Sequence, residues 1–180
     1  MKYNLVALFD KNSNELINLV QRDLCRKYRV YKLKTDFYIK IQTINDSNIE
    51  EFSKIISKSL YPYKKFKIQI NSELFLDDHF KHIGLKVDKS GYIKKISRNL
   101  SDTLYQHGYN ISNQKNNFGI HIVSSNYQAR KMFRDKSNCS IPNKTDSPYL
   151  GFAKINRLEL RKPVNNKKEI LIKSFPLRDY

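Results

Sequence analysis

Two short segments of the chain combine isoleucine with polar side chains, and both carry groups that can move protons or hold an anion. Residues 38–41 read Tyr-Ile-Lys-Ile, and residues 121–124 read His-Ile-Val-Ser. An imidazole titrates near pH 6.5, which makes His121 the first candidate for acid–base chemistry at neutral pH. A phenol with a pKa of about 10 can donate a proton but is a poor base, and an ammonium group can hold a phosphate oxygen. Tyr38 therefore joins His121 as a candidate catalytic residue, and Lys40 becomes a candidate anion-binding residue.

The segment after His121 adds basic and aromatic side chains. Arg130 and Arg134 are one helical turn apart and can clamp phosphate groups from one face of a helix. The ring of Tyr127 can stack on a base, since single-stranded nucleic acids bind on aromatic rings beside basic grooves. We therefore expect Arg130, Arg134 and Tyr127 to bind phosphate or RNA together with Lys40.

Plainer interpretations of the same residues stay open. A histidine on the polar face of a strand is often only a hydrogen-bonded surface residue. Tyrosine has a high strand propensity, and the long lysine side chain can lie along any strand face, so neither residue demands a functional role.

The hydrophobic pattern predicts the elements that position these candidates. Apolar runs and strict alternation predict strands, and apolar residues at helical spacing predict the helices between them. The predicted strands are 3–9, 37–44, 65–70, 82–87, 118–123, 153–161 and 167–175, and the predicted helices are 13–28, 47–60, 90–108 and 127–133. This order predicts an α+β protein with two related lobes, approximately 1–75 and 76–180, that pack side by side.

Within these elements the pattern predicts several local details. Strand alternation predicts that Gln42 shares the face of Tyr38 and Lys40 and that Val123 shares the face of His121. A register slip could instead make Ser124 the phosphate contact, but we disfavour it because alternation places Ser124 on the isoleucine face. The predicted apolar stripe of the first helix is Leu16, Leu19, Val20 and Leu24, and Ser47 with Glu50 predicts a capping box at the second.

The charge limits the kinds of partner. The 180 residues hold 34 Lys and Arg against 17 Asp and Glu, a formal net charge of +17. Such a field attracts polyanions, chiefly RNA or DNA, or an anionic membrane surface. A compositional origin stays open beside this one, because 25 of the basic residues are Lys and 18 residues are Asn, which is the usage of an AT-rich genome. The lysines form no block of five or more, which argues against a basic tail.

Other sequence signals are weak or absent. No run approaches 18 apolar residues, and the first residues do not read as a secretory signal, so we expect no membrane partner. The lone cysteines Cys25 and Cys139 fit a reducing cytosol, and we expect a cytoplasmic protein.

The cluster Asp77, Asp78, His79 and His82 has metal-ligand residue types, but we interpret it as a loop that leads into a strand. Neither of the common glycine-rich nucleotide motifs is present. We therefore expect no metal and no cofactor.

The layout of the two motif segments resembles the 2H phosphoesterase superfamily, the LigT-like RNA 2′,3′-cyclic phosphodiesterases that are also called 2′-5′ RNA ligases. The segments begin 83 residues apart, each as the second strand of a half-unit. The opening MKYNLVALF, the region 66–75, the segment HIGLKVDKSGYIKKISRNLSDTLYQHGY and the late RLELRKP and FPL are similar too, so the resemblance covers nearly the whole chain. It implies two pseudo-symmetric lobes of antiparallel sheet with helices on the outside and a central cleft. Each lobe of that family contributes a strand with a His-h-Thr-h motif, where h is apolar.

The departures from that motif fall at the chemistry. His121 matches the second histidine, but Tyr38 stands at the first histidine, Lys40 at the first threonine and Val123 at the second. In the family, two imidazoles share the acid and base roles that open a 2′,3′-cyclic phosphate, and the threonine hydroxyls hold its oxygens. The two-histidine mechanism is therefore not supported for this chain.

The resemblance then implies a protein that binds RNA ends or small (cyclic) nucleotides in the cleft between its lobes. Phosphodiesterase activity would be reduced or lost, with any residual activity running through His121. An alternative of another class is a non-enzymatic basic RNA-binding or ribonucleoprotein subunit. A third is an active enzyme with an atypical site made of Tyr38, Lys40 and His121.

Overall fold

The computed structural model describes the chain except for residues 34–35, 46–47, 78–80, 89, 114–117, 136–148 and 166–167. The described part contains nine strands and four helices. The strands are β1 (Lys2–Phe9), β2 (Tyr31–Lys32), β3 (Tyr38–Asn45), β4 (Phe66–Leu76), β5 (His82–Asp88), β6 (Asn110–Asn113), β7 (Gly119–Ser124), β8 (Tyr149–Asn165) and β9 (Lys168–Pro176). The helices are α1 (Lys11–Tyr28), α2 (Ile49–Leu60), α3 (Gly91–Gln106) and α4 (Tyr127–Asp135). Every predicted strand and helix is present, while the short strands β2 and β6 lie where the pattern predicts none.

The strands form one antiparallel sheet. Its order is β2-β7-β5-β4-β8-β1-β3-β6, with β9 beside β8 and an additional pairing between β7 and β3. That additional pairing closes β1, β3, β7, β5, β4 and β8 into a ring. Because one face of a closed ring of strands must look inward, the helices pack on the other. The predicted α+β class with antiparallel strands is confirmed.

Side-chain alternation gives the sheet two faces, which we call the helix face and the inner face. Ile39, Leu85 and Ile120 are fully buried on the helix face. Helix α1 is tied to this face because the Gln21 amide Nε2 donates a hydrogen bond to the Ile122 carbonyl oxygen at 2.7 Å. Residues 3–9 of β1 are buried on both faces, which explains the unbroken apolar run at 5–9 in the sequence.

The boundaries of α1 follow its capping chemistry. Asp10 caps the helix, because its carboxylate accepts a hydrogen bond from the Ser13 amide at 2.9 Å. Ile17, Val20 and Leu24 are buried along one stripe, whereas Leu19, which the pattern places on that stripe, is 50% exposed. The prediction for Leu19 is wrong because the spacing from Ile17 to Val20 and Leu24 sets the buried face.

Helix α2 begins one residue later than the predicted capping box. Asn48 is the N-cap: its side-chain oxygen accepts from the Glu51 amide, and its Nδ2 donates to the Glu51 carboxylate at 2.7 Å. Ser47, named in the prediction, lies outside the described residues, as do Asp78, His79 and Cys139. The predicted end of α3 is confirmed, since Gly108 follows it with a φ of +81°, the left-handed conformation that favours glycine.

Candidate functional site

The two motif strands lie side by side. Ile39 of β3 pairs with Ile120 of β7 in antiparallel register, and both side chains point to the helix face. The same register sets Tyr38 beside His121 and Lys40 beside Gly119 on the inner face, because side chains alternate along both strands. Two motif segments that begin 83 positions apart in the sequence thus lie on neighbouring strands.

A β-bulge in β3 changes the face of the residues after Lys40. Strand β1 pairs with Lys40 and then with Gln42, so Ile41 is the extra residue. Gln42 consequently turns to the helix face, where it is fully buried and its Nε2 donates to the Ser97 carbonyl oxygen of α3 at 2.9 Å. The prediction that Gln42 shares the face of Tyr38 is wrong.

A second bulge, in β7, does the same after His121. Strand β5 pairs with His121 and then with Val123, which leaves Ile122 as the extra residue. Val123 is fully buried on the helix face, and the half-buried Ser124 lies on the inner face. Both predictions for these residues are therefore wrong. The inner face gains a hydroxyl at Ser124 where the motif lacks one at Val123.

A second imidazole lies next to His121. The rings of His82 and His121 are nearly parallel, 21° apart, with their centres separated by 5.3 Å. His82 Nδ1 lies 2.9 Å from Oδ2 of Asp77, so the Asp77 carboxylate and the His82 ring form a hydrogen-bonded pair. Sequence reasoning considered His82 only as a metal ligand and set it aside, because nothing in the sequence shows that β5 pairs with the strand of His121. Within the described ranges, no group of three or more His, Cys, Asp or Glu side chains is arranged to hold a metal ion.

The surroundings of His121 favour its neutral form. The His121 side chain reaches solvent, but the protein atoms packed around its ring partly desolvate it and lower its pKa. The neighbouring His82 lowers this pKa further, Asp77 opposes the shift, and Lys40 adds a smaller lowering. A neutral imidazole can accept a proton, so His121 suits the role of a general base.

The ring of Phe75 lies beside His121 on the inner face. The two ring centres are 5.6 Å apart. Two glycines, Gly84 and Gly119, leave the room for Phe75, since a Cβ at either position would come within 2.6 Å of its ring atoms. The glycines of β5 and β7 thus let an aromatic ring lie flat against the sheet next to the imidazole.

Strand β8 adds a charged cluster on the same face. Glu159 is 4% exposed and accepts hydrogen bonds from Arg157 Nε at 2.8 Å and from Arg161 at 2.8 and 2.6 Å. Arg161 also donates to Asp36 at 3.2 Å. The sequence Arg-Leu-Glu-Leu-Arg at 157–161 alternates charged residues with leucine, which indicates that the charged residues share one face of the strand. The sequence prediction did not assign them to a site.

Arg161 connects this cluster to Tyr38. Its guanidinium carbon lies 5.4 Å from the centre of the Tyr38 ring. Burial and then the charge and hydrogen bond of Glu169 raise the pKa of Tyr38 to about 12, although Arg161 opposes the shift. Burial, followed by the charge of Lys2, lowers the pKa of Lys40, against the opposing charge of Glu169. Tyr38 is therefore a neutral hydrogen-bond donor at physiological pH.

The remaining predicted site residues lie on α4, which begins three residues after β7 ends. Tyr127 is 67% exposed, and Arg134 is exposed in the last turn. Arg130 Nε donates to the Asn126 carbonyl oxygen at 3.3 Å, within the first turn of the helix. Among the contacts of the described residues, none joins these three side chains to Tyr38, Lys40 or His121.

The site therefore has two parts on one face of the sheet. One part holds the imidazoles, Phe75 and Ser124, and the other holds the Arg-Glu-Arg cluster of β8. Tyr38 and Lys40 lie between them. Proton acceptors, proton donors and cations together suit an anionic ester whose cleavage needs proton transfer.

We compared the chain with known protein families, curated proteins and solved structures. No family model matches the sequence, and no curated protein matches it. Solved structures do match along almost the whole chain. The protein TT0787 of Thermus thermophilus has a TM-score of 0.68 at 10% identity, covering 99% of each chain. E. coli LigT complexed with 3′-AMP has a TM-score of 0.62 at 11% identity, covering 98% of this chain and 97% of LigT. Kluyveromyces marxianus Usb1 has a TM-score of 0.57 at 13% identity, covering 98% of each chain.

These three proteins are members of the 2H phosphoesterase superfamily. At such identities the likeness establishes the fold, and the chain therefore has the 2H phosphoesterase fold. The predicted fold class is confirmed. No helix in the described part of the chain is long and apolar enough to cross a membrane.

Proposed function

We propose that this protein binds the phosphate group of an RNA end or a small (cyclic) nucleotide on the inner face of its sheet, with phosphodiesterase activity reduced or lost. The observation that carries this proposal is the pairing of Ile39 with Ile120, which sets Tyr38 and Lys40 beside the strand of His121. A phosphate bound there meets an imidazole, a phenol and an ammonium group at once.

The electrostatics of Lys40 support an anionic ligand. Lys40 is half-buried, and its pKa is lowered because burial penalises its charge. None of the ion pairs among the described residues uses Lys40. A phosphate oxygen would supply the missing partner through a charge-assisted hydrogen bond.

The state of Tyr38 supports reduced catalysis. A phenol whose pKa is about 12 holds its proton and cannot take one from water at neutral pH. Loss of one acid–base partner typically costs about 10²- to 10⁴-fold in rate. The position that holds a histidine in the related motif thus holds a hydrogen-bond donor, which is bonded to Glu169 in the free protein and would turn to the phosphate when a ligand binds.

The neighbours support the class of ligand. E. coli LigT has been crystallised with 3′-AMP, ATP, NADP+ and phosphate. By analogy, we propose that α4 extends the site, with Tyr127, Arg130 and Arg134 contacting nucleotides beyond the first. Cys25 is a free thiol, which fits our proposal of a cytoplasmic location.

Calorimetric titration with 3′-AMP, and with adenosine as the ligand that lacks phosphate, tests the proposal. We expect 3′-AMP to bind and adenosine to bind far more weakly. Lys40→Met should weaken 3′-AMP binding by about 10- to 100-fold, the value of one charge-assisted hydrogen bond. The matched control is Lys54→Met, which removes the same charge from the exposed surface of α2.

Equal effects of Lys40→Met and Lys54→Met would contradict the proposal. RNA binding that persists in Lys40→Ala and Tyr38→Ala, and that weakens only as surface lysines are removed, would favour the ribonucleoprotein alternative. That behaviour is expected of binding to phosphates by a diffuse positive field.

A further inference from the structure

The pair of imidazoles on the inner face combines two features that a phosphodiesterase needs. His82 and His121 lie on neighbouring strands with their ring centres 5.3 Å apart, so one phosphate group can contact both. His82 is also bound to a carboxylate, Asp77, through its Nδ1 atom at 2.9 Å. Since one nitrogen is engaged by Asp77, the other nitrogen, Nε2, is left to face a ligand.

We propose that His82, oriented by Asp77, is the second acid–base residue of this protein and acts with His121 on a phosphodiester. The first motif has Tyr38 where the family has a histidine, and His82 supplies the acid–base group that this motif lacks. This inference rests on the proposed function, because it requires a phosphate ester bound on the inner face.

Backbone amides at the start of β5 hold the Asp77 carboxylate in place. Asp77 Oδ1 accepts hydrogen bonds from the backbone amides of Lys81 and His82 at 2.7 and 3.1 Å, while Oδ2 faces the His82 ring. The Asp77 amide in turn donates to the His82 carbonyl oxygen at 3.0 Å. Burial acts to raise the pKa of Asp77, but these hydrogen bonds outweigh it and lower the pKa, so the group is a carboxylate at neutral pH.

The accessibility of the pair fits a role at a ligand. The side chain of His82 is 31% exposed, whereas that of Asp77 is 12% exposed. The imidazole is thus open to a ligand, and the carboxylate behind it is largely covered. An aspartate that fixes the tautomer and orientation of a histidine, and that stabilises the imidazolium, is a recurrent device of acid–base sites.

A hydroxyl lies in the same row of residues. Ser124 is the cross-strand partner of His82, so its side chain leaves the sheet on the inner face next to the imidazole. It can donate a hydrogen bond to a phosphate oxygen, which is the contact that the motif lacks at the buried Val123.

The reaction of a 2′,3′-cyclic phosphate can be written with these groups. The neutral His121 ring takes a proton from water as the water oxygen forms its bond to phosphorus. The bond between phosphorus and the ribose O2′ breaks, and the leaving oxygen takes the Nε2 proton of His82, which enters the step as an imidazolium with its Nδ1 proton toward Asp77. The products are a 3′-phosphate monoester, a protonated His121 and a neutral His82, and proton exchange with solvent restores the starting state.

The alternative acid, Tyr38, is less suited to the step. Its hydroxyl is hydrogen-bonded to Glu169, and its pKa of about 12 makes it a weaker acid than an imidazolium. We therefore expect Tyr38 to bind the phosphate and His82 to give the proton.

The test compares variants on two substrates, 2′,3′-cyclic AMP and a 4-nitrophenyl nucleoside phosphodiester. The leaving group of the second substrate departs without a proton, so it needs no general acid. His82→Gln should lose about 10²- to 10⁴-fold in kcat on the cyclic phosphate and less than about tenfold on the 4-nitrophenyl ester. His121→Gln should lose activity on both, and Tyr38→Phe should raise KM more than it lowers kcat.

Asp77 is a positioning residue and has its own readouts. Asp77→Asn should lower kcat on the cyclic phosphate and shift the alkaline limb of the pH–rate profile, and Asp77→Glu should restore part of both. His107→Gln, which changes an exposed histidine beyond the end of α3, is the matched control and should leave the activity on both substrates unchanged.

Each outcome separates the inference from the proposed function. Binding of 3′-AMP to wild-type protein is measured first, and its absence would refute the proposed function. If 3′-AMP binds but the cyclic phosphate is not hydrolysed, the role of His82 as general acid is refuted while binding stands. The same conclusion follows if His82→Gln lowers kcat equally on both substrates or lowers it on neither.

Discussion

Substitution of the buried Glu159 tests how the charged cluster of β8 stabilises the inner face. Its two oxygens accept three hydrogen bonds from the guanidinium groups of Arg157 and Arg161, at 2.6 to 2.8 Å. In Glu159→Gln, one amide oxygen remains to accept a bond, while the charge is lost and the amide hydrogens face cationic donors. Arg157 then loses the carboxylate that it binds, and Arg161 keeps only the exposed Asp36 at 3.2 Å and the more distant Glu169 at 4.0 Å.

The magnitude follows from the burial of the partners. Removal of one member of a buried ion pair costs about 3–5 kcal/mol. The Arg161 side chain is 11% exposed but that of Arg157 is 36% exposed, so water can solvate one of the two partners. We therefore expect the lower end, a loss of about 3 kcal/mol in the free energy of unfolding. With a urea slope of about 2 kcal/mol/M, the midpoint should fall by about 1.5 M.

Urea unfolding at pH 7, followed by far-ultraviolet circular dichroism and tyrosine fluorescence, measures this loss; the chain has no tryptophan. Glu15→Gln is the matched control, since it removes the same charge from the exposed surface of α1 and should stay within about 0.5 kcal/mol of wild type. A loss below about 1 kcal/mol in Glu159→Gln would show that water screens the cluster, and would refute the reasoning that Glu159 holds the two guanidinium groups in place. The two arginines freed by the substitution should also bind 3′-AMP more tightly, because the competing carboxylate charge is gone.

Three further predictions concern neighbouring residues. Gly119→Ala places a Cβ 2.3 Å from the Phe75 ring and should cost about 1–3 kcal/mol, which Phe75→Leu should largely restore. In Gly84→Ala the same second substitution should restore little, because that Cβ also meets a backbone carbonyl oxygen of β7 at 2.6 Å; equal rescue would contradict this contact geometry. The pKa of His121 is lower in the folded state, so the unfolded chain binds more protons below about pH 6.5. The free energy of unfolding, measured in urea, should therefore fall between pH 7.5 and 5.5 more steeply for wild type than for His121→Gln. In spectra at 295 nm, the phenolate absorbance lost in Tyr38→Phe should appear near pH 12, and its appearance near pH 10 would disprove the buried hydrogen bond to Glu169.

Much of this fold follows from the sequence because its signals are local. Alternating segments such as 65–70 and 118–123 place one row of side chains in a core, and they predict strands without any knowledge of their partners. The left-handed Gly108 and the stop at Pro62 are local in the same sense. The short strands β2 and β6 escape prediction because they have only two and four residues, too few to show a period.

The composition of the site is harder to predict because it depends on which strands are neighbours. In the sequence His82 is only the first residue of an ordinary strand. It becomes a candidate acid–base residue because β5 lies next to the strand of His121. Arg157 and Arg161 gain theirs because Glu159 is buried between them. Net charge gave no guide to either group, since a total of +17 spread over the whole chain marks no position.

The two bulges are the clearest case of information that alternation cannot supply. A strand pattern assigns faces by counting in twos, and one extra residue at Ile41 or Ile122 reverses every assignment that follows it. In β3 the bulge buries Gln42 against α3, and in β7 it exchanges Val123 for Ser124 on the inner face. A motif comparison by position therefore finds no hydroxyl after His121, whereas the sheet presents one. Loss of a motif residue in the sequence of such a strand does not establish loss of its chemical group from the site, and the activity of this chain has to be judged from the groups that the sheet brings together.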